Sequence, residues 1–168
     1  MKQKILALGL ASLLIAGCET TDDANKAGAG ANSKSLNQGM YSRGLSEIVP
    51  GSQEDLVANV GDRVFFEYDS ASLSDNAQKT LSHQAQWLGT NAQATITIEG
   101  HCDERGTREY NLALGERRAA AVKNYLVSLG VDRSRVSTIS YGKERPEELG
   151  STDAVWSKNR RAVTVVSQ

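Results

Sequence analysis

The chain has 168 residues, room for one domain of ordinary size with tails, while two domains would be a squeeze. Its 19 basic and 20 acidic residues cancel to a net charge of −1, which leaves no global field for nucleic acid or an acidic membrane surface. Aromatic residues make up only 5% of the chain, too few for a single-strand binder built on stacking platforms, so recognition has to be local.

Taken in order, residues 1–17 have a basic start at Lys2 and Lys4, an apolar run from Ile5 to Ile15, and small residues after it. That pattern is a secretory signal; the run is too short to span a membrane. Residues 18–50 are mostly Thr, Asp, Ala, Gly, Asn and Ser, with too little apolar surface to offset the entropy of ordering. They read as a flexible tether whose ends lie on the order of 30 Å apart. The domain proper is expected over residues 51–168. Ser52 followed by Asp55 matches a capping box for a short helix over Gln53 to Asn59. Arg63 to Tyr68 is rich in β-branched and aromatic residues and reads as a strand. Ser74 caps a helix to about Leu88, on which Ala77, Leu81, Ala85 and Leu88 recur at helical spacing. A second strand is expected over Ala94 to Glu99, and a second long helix over Thr107 to Leu129, stopped by Gly130. Val136 to Tyr141 is the third strand. A charged loop follows, then a helical turn near Asp153 to Ser157, and Arg160 to Val166 closes the domain as the fourth strand.

The order β-α-β-α-β-β argues for an α/β fold of the two-layer sandwich kind, with a mixed four-stranded sheet and helices packed on it. The loops after the carboxyl ends of parallel strands then gather on one edge, where ligands bind. That edge would hold Tyr68 and Asp69, the loop from Gly100 to Gly106, and Lys143 with Arg145. The helix after the loop leads to the same place. At about 100° per residue, Val122, Tyr125, Leu126 and Leu129 form an apolar stripe whose extension carries Arg118 and Asn111, with Leu114 to one side. An Arg and an Asn on a core-facing line are costly unless paired, so their expected setting is a crevice. Asp103 and Arg118 then form a pair of opposite charges facing one site, and Arg117 falls on the flank. An internal salt bridge between Asp103 and Arg118 is the structural alternative.

The stretch EGHCDERGTREYNLALGERRAAAV, flanked by VFFEYD and SKNRRAV, resembles the OmpA-like peptidoglycan-binding module from about Val64 to Val166. Leu14-Ile15-Ala16-Gly17-Cys18 resembles the lipobox of bacterial lipoproteins, which implies cleavage before Cys18 and acylation of that cysteine. Glu19 behind it implies sorting to the outer membrane, with the domain facing the periplasm. With SYGKERPEELG as well, the resemblance implies a lipoprotein with TolB and other Tol proteins as partners; an OmpA-like envelope lipoprotein without Tol partners is the alternative. What the module implies is non-covalent binding of the diaminopimelate-bearing stem peptide of peptidoglycan, with no cofactor and no nucleic acid. Asp103 and Arg118 fall on the module's two principal ligand positions. Diaminopimelate ends in an ammonium and a carboxylate: Asp103 suits the first, and Arg118 can grip the second with two parallel hydrogen bonds. Asn111 and the amides that open the helix would add donors, Phe66, Tyr68 and Asp69 would line the pocket, and Leu114 would floor it. Replacing Asp103 or Arg118 is accordingly expected to cost binding and leave the fold nearly intact.

His101, Cys102, Asp103 and Glu104 in a row also invite a catalytic or metal reading. Adjacent residues at a strand end point to opposite faces, and no HxxxH or CxxC spacing occurs, so that reading is set aside. His101 is expected to be a hydrogen-bonding loop residue. Cys102, where the module would have Ala or Thr, is expected to be small enough to fit and potentially reactive.

Overall fold

The computed structural model describes residues 48–167. The expected signal segment, Cys18 and the expected tether before Ile48 fall on residues 1–47, outside the described residues. The elements are α1 (Gln53–Asn59), β1 (Arg63–Phe65), α2 (Asp75–Thr90), β2 (Thr95–His101), α3 (Arg108–Ser128), a 3-10 turn (Arg133–Arg135), β3 (Val136–Gly142), α4 (Asp153–Asn159) and β4 (Arg161–Ser167). Each helix starts where a hydroxyl residue offers its oxygen to the first turn. Ser52, Ser74, Thr107 and Thr152 accept from the amides of Asp55, Ala77, Tyr110 and Val155. At α1 the return bond of the capping box shifts by one residue, the Asp55 carboxylate accepting from the Gly51 amide at 2.9 Å.

The sheet has the order β1-β4-β2-β3. β2 and β3 are parallel, and β4 lies antiparallel to both β1 and β2. Strands β1, β2 and β3 therefore all point the same way, and β4 enters between two of them from the opposite direction. The consequence is that the carboxyl ends of three strands and the start of the fourth share one edge. Alternation along the strands turns Val64, Ile96, Ile98, Val136 and Ala162 toward the helices, where they bury against Leu81, Leu88, Ala119, Val122 and Leu126. The outer half of β4 meets α1, where the Gln53 amide takes over from a neighbouring strand: its Oε1 accepts from the Val166 amide at 2.7 Å and its Nε2 donates to the Thr164 carbonyl at 3.2 Å.

Helix α3 lies unusually close to the sheet because glycines face each other. A Cβ on Gly100 would come within 1.9 Å of the Gly115 carbonyl oxygen. That close approach brings the next turn of α3, with Arg118, onto the end of β2.

Two expectations are corrected. The first strand stops at Phe65 instead of running to Tyr68. The Phe66 amide still donates to the Arg160 carbonyl, but the Glu67 and Ser70 carbonyls then turn away to meet Arg118. Leu129, read as the end of the apolar stripe, is 43% exposed because α3 ends just before it and the chain turns at Gly130.

Candidate functional site

At the shared edge lies a cleft of about 190 Å³ lined by residues from four segments. Tyr68 and Asp69 come from the turn after β1, Asp103 and Arg105 from the loop after β2, and Arg160 from the start of β4. Helix α3 contributes Tyr110, Asn111, Leu114 and Arg118, whose spacing of one, three and four residues keeps them on one face of its first turns.

Arg118 is fully buried. Its Nε donates to the Ser70 carbonyl at 2.8 Å, Nη1 to the His101 carbonyl at 2.7 Å and to the Cys102 sulfur at 3.4 Å, and Nη2 to the Glu67 carbonyl at 3.0 Å. The guanidinium lies over the Phe66 ring, 5.1 Å from its centroid. Four of its five N–H groups are thus spent on the protein, joining the turn after β1 to the end of β2. Burial draws its pKa below the usual arginine value, with Cys102 and Asp103 pulling the other way.

Asp103 is 4% exposed and lies deep in the loop. Its Oδ1 accepts from the Arg105 amide at 3.1 Å and the Arg105 Nε at 3.2 Å, and its Oδ2 from the Arg105 Nη2 at 2.5 Å, with the Arg160 Nη1 at 3.5 Å. Burial pushes the carboxyl up, but the hydrogen bonds from the Arg105 side chain and amide outweigh it and hold the group below the ordinary carboxylate value. No direct Asp103–Arg118 bridge forms. Each has other partners, which removes the structural alternative in its simple form.

Several expected positions change role. Phe66 does not line the cleft; it is buried beneath the Arg118 guanidinium because the turn after β1 tucks it into the core. Asn111 lines it, but its Nδ2 donates to the Arg105 and Thr107 carbonyls at 2.8 and 3.1 Å, so the amide shapes the loop instead of offering donors to a ligand. Arg118 has one N–H that is not spent on the protein, short of the pair that a fork-on-fork grip needs. Tyr68, Asp69 and Leu114 stand where expected, with Asp69 held at φ 52° and accepting from the Tyr110 hydroxyl. Arg117 is exposed on the flank, as its angle on the helix indicates. Lys143 reaches the back of the loop, donating to the Gly106 and Glu104 carbonyls at 2.7 and 3.2 Å, whereas Arg145 stacks on Tyr141 away from the cleft.

Arg105, Tyr110, Trp156 and Arg160 were not singled out from sequence. Arg160 carried a signal: it directly precedes the fourth strand, and an antiparallel fourth strand must begin at the edge where the others end. Trp156, on α4, carried none that a local pattern reveals.

Cys102 is 3% exposed, its sulfur donating to the Asn111 carbonyl at 3.3 Å. Burial pushes its thiol pKa up, only partly opposed by Arg118. The sequence left the reactivity of Cys102 open, and its setting argues against it: a protonated, enclosed thiol is a poor nucleophile. Iodoacetamide at neutral pH should leave Cys102 unmodified in the folded protein and modify it fully in denaturant, as read by intact mass; equal labelling in both states would contradict this.

His101 is the last residue of β2, not a loop residue, and its carbonyl rather than its ring is what bonds to Arg118. The ring is buried on the sheet face opposite α3, with neither nitrogen hydrogen-bonded, Tyr141 5.6 Å away and the Glu99 carboxylate 3.5 Å from Nε2. Burial and then the nearby Arg161 lower its pKa from 6.5 to about 4. The folded state thus excludes a proton that the unfolded chain takes up. Stability is full above pH 6.5 and falls by roughly 3 kcal/mol as the pH drops to about 4. Urea titrations across this range should show that loss, and His101→Gln should flatten it; an unchanged slope in the variant would contradict the assignment.

Fold and cleft together define an α/β module with a charge-lined cleft at the carboxyl ends of its parallel strands. A family model described as the OmpA family matches residues 65–160. The chain is 52% identical over 158 residues to a peptidoglycan-associated lipoprotein of Brucella melitensis, covering 93% of this chain and 87% of the relative. It is 43% identical to one of Pseudomonas aeruginosa, covering 94% and 93% of the two chains. The crystal structure of the peptidoglycan-associated lipoprotein from Burkholderia pseudomallei superposes with a TM-score of 0.62 at 46% identity, over 63% of this chain and 90% of that one. The chain belongs to the OmpA family, within the branch formed by the peptidoglycan-associated lipoproteins.

Proposed function

We propose that the chain is an outer-membrane lipoprotein, anchored by acylated Cys18 and a tether over residues 18–50, whose domain over residues 51–168 holds peptidoglycan non-covalently. The ligand is the diaminopimelate end of the stem peptide. The observation that carries this reading is the cleft itself, where a buried carboxylate, Asp103, and a buried guanidinium, Arg118, share one small cavity floored by Leu114. An ammonium and a carboxylate on one carbon suit such a site, and the relatives' name points to peptidoglycan as the polymer that carries them. The Arg118 donor left over, with the amides that open α3, meets the carboxylate, helped by the positive end of the helix dipole. Nothing in this chemistry makes or breaks a covalent bond, so the protein is a tether and not an enzyme.

In the envelope this links outer membrane to wall as part of the Tol-Pal system, which supports envelope integrity and membrane invagination at division. TolB is proposed to meet the same edge of the domain and to compete with the wall. Sedimentation of the full chain with diaminopimelate-type sacculi tests both parts. The protein should pellet with the sacculi, and saturating TolB should return it to the supernatant. Failure to pellet removes the wall-binding reading, and pelleting that TolB leaves unchanged removes the competition. Mass spectrometry of the mature protein should find Cys18 as an acylated N-terminus.

A further inference from the structure

The anionic end of the cleft is already filled by the protein's own cation. The Arg105 guanidinium lies between the rings of Tyr68 and Trp156, 4.0 Å from the centroid of each. Its Nη2 and Nε grip both oxygens of Asp103 at 2.5 and 3.2 Å. Trp156 is fixed from behind, its Nε1 donating to the Glu104 carboxylate at 3.0 Å. A carboxylate has about four lone-pair positions. On Asp103 they face two groups of the Arg105 side chain, the Arg105 amide, and the Arg160 Nη1 at 3.5 Å. An incoming ammonium therefore finds no vacant position. It must displace the two contacts from the Arg105 side chain, while the Arg105 amide and Arg160 stay to keep the carboxylate aimed. The displaced side chain has somewhere to go: it is 31% exposed, whereas the side chain of Asp103 is 5% exposed.

We propose that Arg105 is an intramolecular competitor for the ligand's ammonium, parked in a Tyr68–Trp156 slot beside Asp103, and that its withdrawal is part of binding. The proposal rests on the reading of the cleft as a diaminopimelate site. Its effect is to close the anionic end to simple amines, which gain the Asp103 contact and nothing else. A ligand that also brings a carboxylate to Arg118 has a second contact to offset the displacement. The cation–π sandwich matters because it holds the competitor in place: each ring face adds attraction for a guanidinium that solvent only partly screens. The affinity of the cleft is then the intrinsic affinity multiplied by the fraction of molecules in which Arg105 has swung out.

The test is calorimetric titration of the full chain, its Arg105→Ala variant and its Arg105→Gln variant with the tripeptide L-Ala-γ-D-Glu-meso-diaminopimelate. Both variants should bind at least about threefold more tightly than the wild type. Tryptophan emission should change when the wild type binds, as Arg105 leaves Trp156, and should change far less in either variant. The glutamine variant covers the case in which alanine weakens the loop, and thermal melting of both verifies folding. Equal or weaker binding by folded variants would overturn the proposal, weaker binding making Arg105 a direct ligand contact, and would leave the site reading intact. If neither the wild type nor the variants bind the tripeptide, the site reading fails and this proposal fails with it.

Discussion

Arg118→Ala should lower the melting temperature by on the order of 10 °C as well as abolish binding. This is a departure from the expectation that the residue serves the ligand alone. The side chain is fully buried, and its removal leaves the carbonyls of Glu67, Ser70 and His101 without their donor. A buried acceptor without a partner costs about 1–3 kcal/mol, so three of them, partly rehydrated, cost at least about 3 kcal/mol in total. For a domain of this size each kcal/mol lowers the midpoint by about 3–5 °C. Arg118→Lys should recover part of the loss, because an ammonium keeps the charge but lacks the fork that spans two segments. Arg117→Ala, one residue away and exposed, should change neither melting nor binding appreciably. Melting curves of the three variants decide it. An Arg118→Ala protein that melts with the wild type would mean that the guanidinium network does not hold the turn after β1.

Asp103→Asn should separate the two properties in the other direction. The amide is close to the carboxylate in shape, retains an oxygen for the Arg105 amide, and loses the charge that an ammonium needs. Losing one partner of a buried, charge-assisted contact costs about 2–5 kcal/mol, which is at least about thirtyfold in affinity. The cost to the fold is smaller. The Arg105 side chain is 31% exposed and can turn to solvent once the carboxylate's charge is gone. Sedimentation with sacculi should therefore fall to background while the melting temperature drops by only a few degrees. A variant that still pellets fully would show that Asp103 is not the ligand's anionic partner.

The difference between these two residues bears on what a sequence can reveal. The helices were legible because hydroxyl caps and apolar spacing are local signals, and Ser52 and Ser74 act as those signals say. The edge that carries the cleft was legible from the alternation of strands and helices. The side chains at that edge were legible as charges on a face, but their partners were not. Arg118 takes carbonyls from residues 17 to 51 positions away, and no local pattern encodes such a bond. The same bonds shortened the first strand, which its composition alone would have carried to Tyr68. Strand order was hidden for a related reason. Alternation tells which residues face the core, but an inserted antiparallel strand such as β4 reads no differently from one added at an edge. Trp156 entered the site unannounced because no local pattern places α4 beside the loop after β2, where its indole meets Glu104 and Arg105. The role of Arg105 was hidden by its neighbours: in a row of charged loop residues, pairing with Asp103 and simple solvation look alike.

The most direct measurement of the central claim compares two ligands that differ at one group. Calorimetric titration of the full chain with L-Ala-γ-D-Glu-meso-diaminopimelate and with the same peptide carrying lysine in place of diaminopimelate isolates the terminal carboxylate. Binding of the first should exceed binding of the second by at least about tenfold, the loss of one charge-assisted contact to Arg118 and the start of α3. Equal affinity for the two peptides, or binding of neither, would contradict a site built to read both charges of diaminopimelate.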